Sequence, residues 1–176
     1  MRGYFAIGVE GVSKPRNVGA VLRTAHAFGA AFAFVIAPVA DLDALDSTDT
    51  SSAAGQVPFY VFPDAASLVL PTGCSLVAVE IAGDAVALPS FRHPRQAAYV
   101  LGSERYGLSE ELMARADHTV QVPTRFSLNL ALAGALVMYD RLISLERFPA
   151  RPLMPGGPTA PLPPAEFGRP LIRSKG

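Results

Sequence analysis

One cysteine, Cys74, in 176 residues excludes an intrachain disulfide framework and a cysteine-rich zinc site. The three histidines, His26, His93 and His118, stand far apart with no metal-ligand spacing, so no metal is expected. Long apolar runs are also missing. The longest, Ala27 to Ala40, is broken by Gly29 and Pro38 and falls short of the roughly 20 residues that span a bilayer. The segment Met1 to Glu10 lacks the pattern of a signal peptide, and a cytoplasmic protein is the expectation. Neither a G-x-G-x-x-G after the first strand nor a Walker A lysine loop occurs, which removes the familiar phosphate signatures. Basic residues are absent from Thr24 to Phe91, where seven acids stand. They gather at Met1 to Arg23 and Arg141 to Gly176, a distribution that suits an anionic partner and, equally, a solvated surface.

What is present is apolar: half the residues are hydrophobic and 17% are charged, the balance of a packed body that buries roughly two-thirds of its unfolded surface. The segment YFAIGVE (4–10) reads as a buried strand ending at Gly11. After VSKPR, the residues Val18, Val21, Leu22, Ala25 and Phe28 recur at helical spacing until Gly29, and Ala31 to Ile36 is a second buried strand. Strand, helix and strand over about 33 residues form a βαβ unit, hence a right-handed parallel crossover and an α/β fold with a parallel sheet. Asn17 and Arg23 fall at or near the helix start, at the carboxyl end of the first strand, where open α/β sheets bind ligands. A helix-start contact for Asn17 and a surface ion pair for Arg23 are the alternatives.

The middle third alternates in the same way: a loop at Asp41 to Gly55, a short strand at Phe59 to Phe62, Asp64 capping a helix from Ala65 to Leu70, and a strand at Ser75 to Glu80. Pro89 to Arg95 is a connection carrying Arg92 and Arg95. From Tyr99 the chain runs into a strand, a turn bracketed by Gly102 and Gly107, a short helix capped by Ser109 with Glu110 and Glu111 in its first turn, a strand at Thr119 to Val122, and a long helix opening at Ser127. Two strand ends that feed glycine or proline turns make two backbone-lined loops, the design of a nucleotide-like ligand pocket. The last helix is apolar around nearly its whole circumference, through Leu128, Leu130, Ala131, Leu132, Ala135, Leu136, Val137 and Met138, and a second subunit is the simplest cover for it. One domain at 1–148 is followed by a proline-rich tail at 149–176, which holds eight of the sixteen prolines.

Three segments together carry a resemblance: N-V-G-A-V-L-R-T-A-H-A-F-G at 17–29, L-G-S-E-R-Y-G-L at 101–108, and V-P-T-R-F-S-L-N-L-A-L-A-G-A at 122–135. In order and spacing the chain resembles the SpoU/TrmH branch of the SPOUT RNA methyltransferases from Tyr4 to about Phe148. The resemblance implies a single-domain parallel α/β knot, a deep C-terminal trefoil, working as a homodimer with its site at the subunit interface. It further implies S-adenosylmethionine as methyl donor without a metal, and RNA as partner, tRNA before rRNA, with no DNA and no membrane.

Carried over by residue, the resemblance makes Asn17 an organiser of the acceptor site and Arg23 the arginine of the catalytic step, and assigns Glu104, Ser127 and Asn129 to the second and third motifs. The adenosyl group would be held largely by backbone at Leu101, Gly102, Gly107, Val122 and Leu128. The implied reaction is methyl transfer to a ribose 2′-hydroxyl, which needs its proton removed as it attacks. Arginine is almost always protonated, so Arg23 suits positioning and electrostatics better than base chemistry, which stays open. The stretch between Pro123 and Ser127 is shorter than in many family members, which bears on the pocket floor. RNA selection would fall to the dimer and the tail. Two other readings remain: a knotted RNA-binding or assembly factor with little catalysis, and a small-molecule methyltransferase on a similar sheet.

Overall fold

The computed structural model describes residues 3–42, 55–103, 105–146, 148, 151–152 and 155–156. The chain divides into two compact units, Met1–Leu145 and Glu146–Gly176. Of the tail expected at 149–176, only Arg151, Pro152, Pro155 and Gly156 are described, and residues 43–54 of the acidic loop lie outside the described residues as well.

Among the described residues, seven strands form one sheet: β1 Tyr4–Glu10, β2 Phe32–Ile36, β3 Phe59–Phe62, β4 Ser75–Val79, β5 Val86–Ala87, β6 Gln96–Leu101 and β7 His118–Gln121. The order is β3-β2-β1-β6-β4-β7-β5, and every pair is parallel. Parallel strands with both faces covered read as near-continuous apolar runs, and β1, β2, β4 and β6 are buried along almost their whole length. The pleat divides the side chains between two cores. Phe5, Ile7, Val9, Val77, Tyr99 and Leu101 face one side; Ala6, Phe34, Ile36, Leu76, Ala98 and Val100 face the other.

The helix α1, Pro15–Phe28, begins on a proline, which a first helical turn accommodates, and stops at Gly29, whose φ of 72° is the left-handed cap conformation. Its Val18, Val21, Leu22 and Ala25 are buried in the first core. A short helix α2, Glu110–Arg115, is capped by Ser109, whose Oγ accepts from Leu112 N at 3.2 Å, and buries Leu112 in the second core. The last helix, α3, Leu130–Leu145, packs against α1 over the first core. It comes close to the sheet at Gly134, where an added Cβ would sit 3.5 Å from Ile7 Cδ1 and 3.6 Å from Leu101 Cδ1.

Three expectations change. Ala65 to Leu70 is a turn and not a helix: Asp64 Oδ1 accepts from Ser67 N at 2.8 Å and Ser67 Oγ at 2.6 Å, and Leu68 N donates to Ala65 O. The Asp64 carboxylate closes a single turn with Ser67, and Pro71 follows it. The last helix opens at Leu130 and not at Ser127, because Asn129 caps it: Asn129 Oδ1 accepts from Ala131 N at 3.0 Å and Asn129 O from Ala133 N at 3.0 Å. Within one chain that helix is not buried all round, since Leu132, Leu136, Tyr139 and Ile143 are 37–60% exposed along one stripe. The buried side carries Leu130, Gly134, Val137 and Met138. The short edge strand β5 is an addition, its two residues too few to carry a period.

Candidate functional site

The carboxyl ends of β4, β6 and β7 converge on one cavity of about 130 Å³. Each bounding segment follows from local chemistry. After β6, the chain must reverse before α2. It does so in a turn where Gly107 N donates to Ser103 O at 2.9 Å and Tyr106 N to Ser103 Oγ at 3.3 Å. Gly102 and Gly107 bring their backbones together inside it: a Cβ on Gly102 would lie 2.0 Å from the Gly107 carbonyl carbon, and Gly107 has φ of 67°. A side chain at Gly102 would clash with that backbone, and the left-handed φ at Gly107 favours glycine. After β7, Thr124 folds the second loop on itself, its N–H donating to Val122 O at 2.8 Å and its hydroxyl to Phe126 O at 2.8 Å.

The structure brings most of the expected positions to this cavity. Leu101, Gly102, Gly107, Val122 and Leu128 all line it, and so does Ser127. Asn129 stands just beyond, with its Nδ2 donating to Asn17 Oδ1 at 3.4 Å. Asn17 is 5% exposed in the first turn of α1, so this contact ties α1 to the cap of α3. Arg23 is placed differently: it lies two turns into α1, exposed, and is not among the cavity lining. Glu104 lies outside the described residues. No group of His, Cys, Asp and Glu among the described residues is arranged to hold a metal ion.

Two carboxylates outside the expected site residues surround the first loop. Glu80, half-buried at the end of β4, lines the cavity, and its Oε2 accepts from Leu108 N at 2.9 Å. Glu10, 8% exposed at the end of β1, accepts from Ser109 N and Ser109 Oγ, each at 2.7 Å. Their signal was present in the sequence: YFAIGVE and SLVAVE are two apolar strands that each close on a glutamate, and a carboxylate at the rim of a core requires partners.

A second polar cluster sits at the opposite, amino end of the sheet. His93 and Tyr99 are buried; the Tyr99 hydroxyl donates to His93 Nδ1 at 2.6 Å, and His93 Nε2 donates to Asp140 Oδ2 at 2.9 Å. Arg141 donates to the carbonyls of Pro94, Arg95 and Tyr4, and to the Tyr99 oxygen at 3.3 Å. Burial lowers the His93 pKa despite the Asp140 carboxylate, helped by the Arg141 charge, and burial raises that of Tyr99. A neutral imidazole meets both hydrogen bonds. The cluster fastens α3 to the sheet and is not part of the cavity lining.

Comparison with known proteins fits this geometry. A profile of the SpoU rRNA Methylase family matches residues 4–139. The chain is 30% identical over 141 residues to the tRNA (guanosine(18)-2′-O)-methyltransferase of Escherichia coli, covering 75% of this chain and 60% of that protein. The fold is similar to the SpoU methyltransferase AviRb of Streptomyces viridochromogenes, solved with the cofactor AdoMet, at a TM-score of 0.73 and 22% identity over 81% of this chain and 58% of AviRb. It is also similar to a solved protein concerned with 2-OH methylation of C/U34 on tRNA, at a TM-score of 0.70 and 28% identity over 82% of this chain and 98% of that one. The chain thus spans about three-fifths of the first two proteins and nearly all of the third.

Proposed function

The chain belongs to the SpoU rRNA Methylase family, and on that premise we propose that it transfers a methyl group from S-adenosylmethionine to a ribose 2′-hydroxyl of RNA, tRNA before rRNA. The observation that carries the proposal is the cavity in which the loop after β6, the loop after β7 and the start of α3 meet. Its lining suits this cofactor. Leu101, Val122 and Leu128 supply apolar flanks for a purine, and the exposed backbone around Gly102 and Gly107 supplies donors and acceptors for its edge. Bound there, S-adenosylmethionine supplies an electrophilic methyl on a sulfonium.

The cavity is smaller than the roughly 300–1,000 Å³ of a site that encloses its ligand, so an occupant needs further cover. A homodimer provides it in this proposal. The stripe of Leu132, Leu136, Tyr139 and Ile143 on α3 is the apolar face a second copy would bury. Arg23, exposed on α1 and outside the cavity of its own chain, suits a site completed across that interface. Its permanent charge would hold the acceptor phosphate and bring the 2′-hydroxyl into line, an effect of position and electrostatics. Asn17, locked to Asn129, would order the acceptor side; Ser127, at the cavity wall, offers a hydroxyl to either substrate.

A trefoil knot belongs to the same proposal. It is supported by the strand order, in which β6 enters between β1 and β4, and β7 between β4 and β5, after those neighbours have been laid down in the chain. The Escherichia coli protein is named for guanosine 18 and the third protein concerns C/U34. Both are tRNA positions, which favours tRNA, and a cytoplasmic protein is part of the proposal.

The test is incubation of purified protein with a tRNA pool and methyl-labelled cofactor, followed by nucleoside analysis. Label in a 2′-O-methylnucleoside is the expected result. Label confined to a base rejects the ribose assignment, and RNA binding without cofactor binding points to the assembly-factor reading.

A further inference from the structure

The two strands that flank β6 in the sheet, β1 and β4, run directly into Glu10 and Glu80, and these glutamates accept from consecutive backbone N–H groups of the loop that follows β6. Glu80 takes Leu108 N at 2.9 Å, and Glu10 takes Ser109 N at 2.7 Å. We propose that Glu80, supported by Glu10, is a positioning residue for the cofactor: the pair holds Gly107 to Ser109, the end of the loop after β6, in its ligand-ready shape before ligand arrives. This rests on the reading of the cavity as the S-adenosylmethionine site.

The two carboxylates divide the work. Glu10 is buried and fully engaged: Oε2 takes Ser109 N and Oε1 takes Ser109 Oγ, which in turn accepts from Leu112 N at 3.2 Å. It therefore anchors the loop to the start of α2, away from the ligand. Glu80 faces the cavity. Oε1 accepts from Ile81 N and Oε2 from Leu108 N, and Oε2 would lie 2.6 Å from a Cβ on Gly107. The carboxylate thus lies against the segment whose backbone, with that of Gly102, forms the cavity wall. A loop left free would be ordered only at the moment of binding, at the expense of affinity. Bonds from amides to an ionised acceptor are stronger than neutral ones, which suits carboxylates at both points. Each oxygen of Glu80 accepts one bond and has capacity for a second, and the residue lines the cavity, so a hydroxyl-bearing ligand such as a ribosyl group would find an acceptor there.

The experiment measures S-adenosylmethionine and S-adenosylhomocysteine binding by calorimetry, together with steady-state kinetics on tRNA, for the wild-type chain, Glu80→Gln and Glu80→Ala. Loss of a hydrogen bond to a charged acceptor corresponds to roughly 10- to 100-fold in affinity. The expected result for Glu80→Ala is a fall of that order in cofactor affinity, with the KM for cofactor raised, kcat and the KM for tRNA kept within a few-fold, and Glu80→Gln intermediate. Unchanged cofactor affinity in both variants overturns the proposal. So does a parallel loss of tRNA affinity, kcat and melting temperature, which marks a merely structural residue; the isosteric Glu80→Gln supplies the measurement if the alanine variant does not fold. Failure of the wild-type chain to bind cofactor rejects the cofactor reading itself, separately from any result on Glu80.

Discussion

Asn129 donates from Nδ2 to Asn17 Oδ1 at 3.4 Å, joining positions 112 residues apart. Asn17 lies in the first turn of α1, and Asn129 caps α3 through its Oδ1 to Ala131 N. One amide thereby serves a helix end and a bridge between the segments assigned to the acceptor and to the cofactor.

Replacing Asn129 by alanine should cost about 1 kcal/mol through loss of the cap. Combining it with Asn17→Ala should show a coupling of about 0.5 kcal/mol or more, as expected for contacting residues. Urea denaturation of the four proteins of the cycle checks this; strict additivity would show that the bridge contributes nothing.

Arg23→Ala should lower turnover by about 100-fold or more while cofactor binding stays within a few-fold, because the proposed role is to place the acceptor. Single-turnover methylation and calorimetry on the same preparation separate the two effects. Retained turnover would remove Arg23 from the chemistry.

Gly107→Ala should destabilise the chain by about 1–3 kcal/mol and weaken cofactor binding, since φ is 67° and the new methyl would meet Glu80 Oε2 at 2.6 Å. Gly29→Ala has the same φ problem, at 72°, and open space around it. It should affect stability only, and comparing the two variants isolates the contact with Glu80.

His93 links stability to pH. Burial holds its pKa below the ordinary value of 6.5, so the unfolded chain binds the proton more readily than the folded one. Stability should therefore rise with pH through the window below about 6.5 and be lost as pH falls through it. Thermal melts from pH 7 to pH 5 should show a drop that is smaller in His93→Gln, which has no titrating ring at that position.

Leu136→Asp and Tyr139→Asp should convert a dimer to a monomer in sedimentation velocity and suppress methylation, because the charge falls on the exposed apolar stripe of α3. A wild-type chain that sediments as a monomer would dispose of the dimer.

The sequence determined most of the strands, the two long helices and the two loops that follow strands. Runs such as YFAIGVE and FAFVI suit strands of a doubly covered parallel sheet, and the left-handed glycine that closes α1 is a local requirement. Leu101, Gly102, Gly107, Val122 and Leu128 were named by the resemblance; the residues alone indicated only two backbone-lined loops after strands, and those loops line the cavity. Only the tertiary structure decided what depends on lateral strand order. That order places β6 between β1 and β4, and so brings Glu10 and Glu80 to one loop across 99 and 28 residues. It also sets Arg23 outside the cavity, joins His93 by hydrogen bonds to Tyr99 and Asp140, and leaves one stripe of α3 uncovered. Periodicity records which side of an element is apolar; which neighbour covers it, or whether any does within one chain, is a property of packing between distant segments.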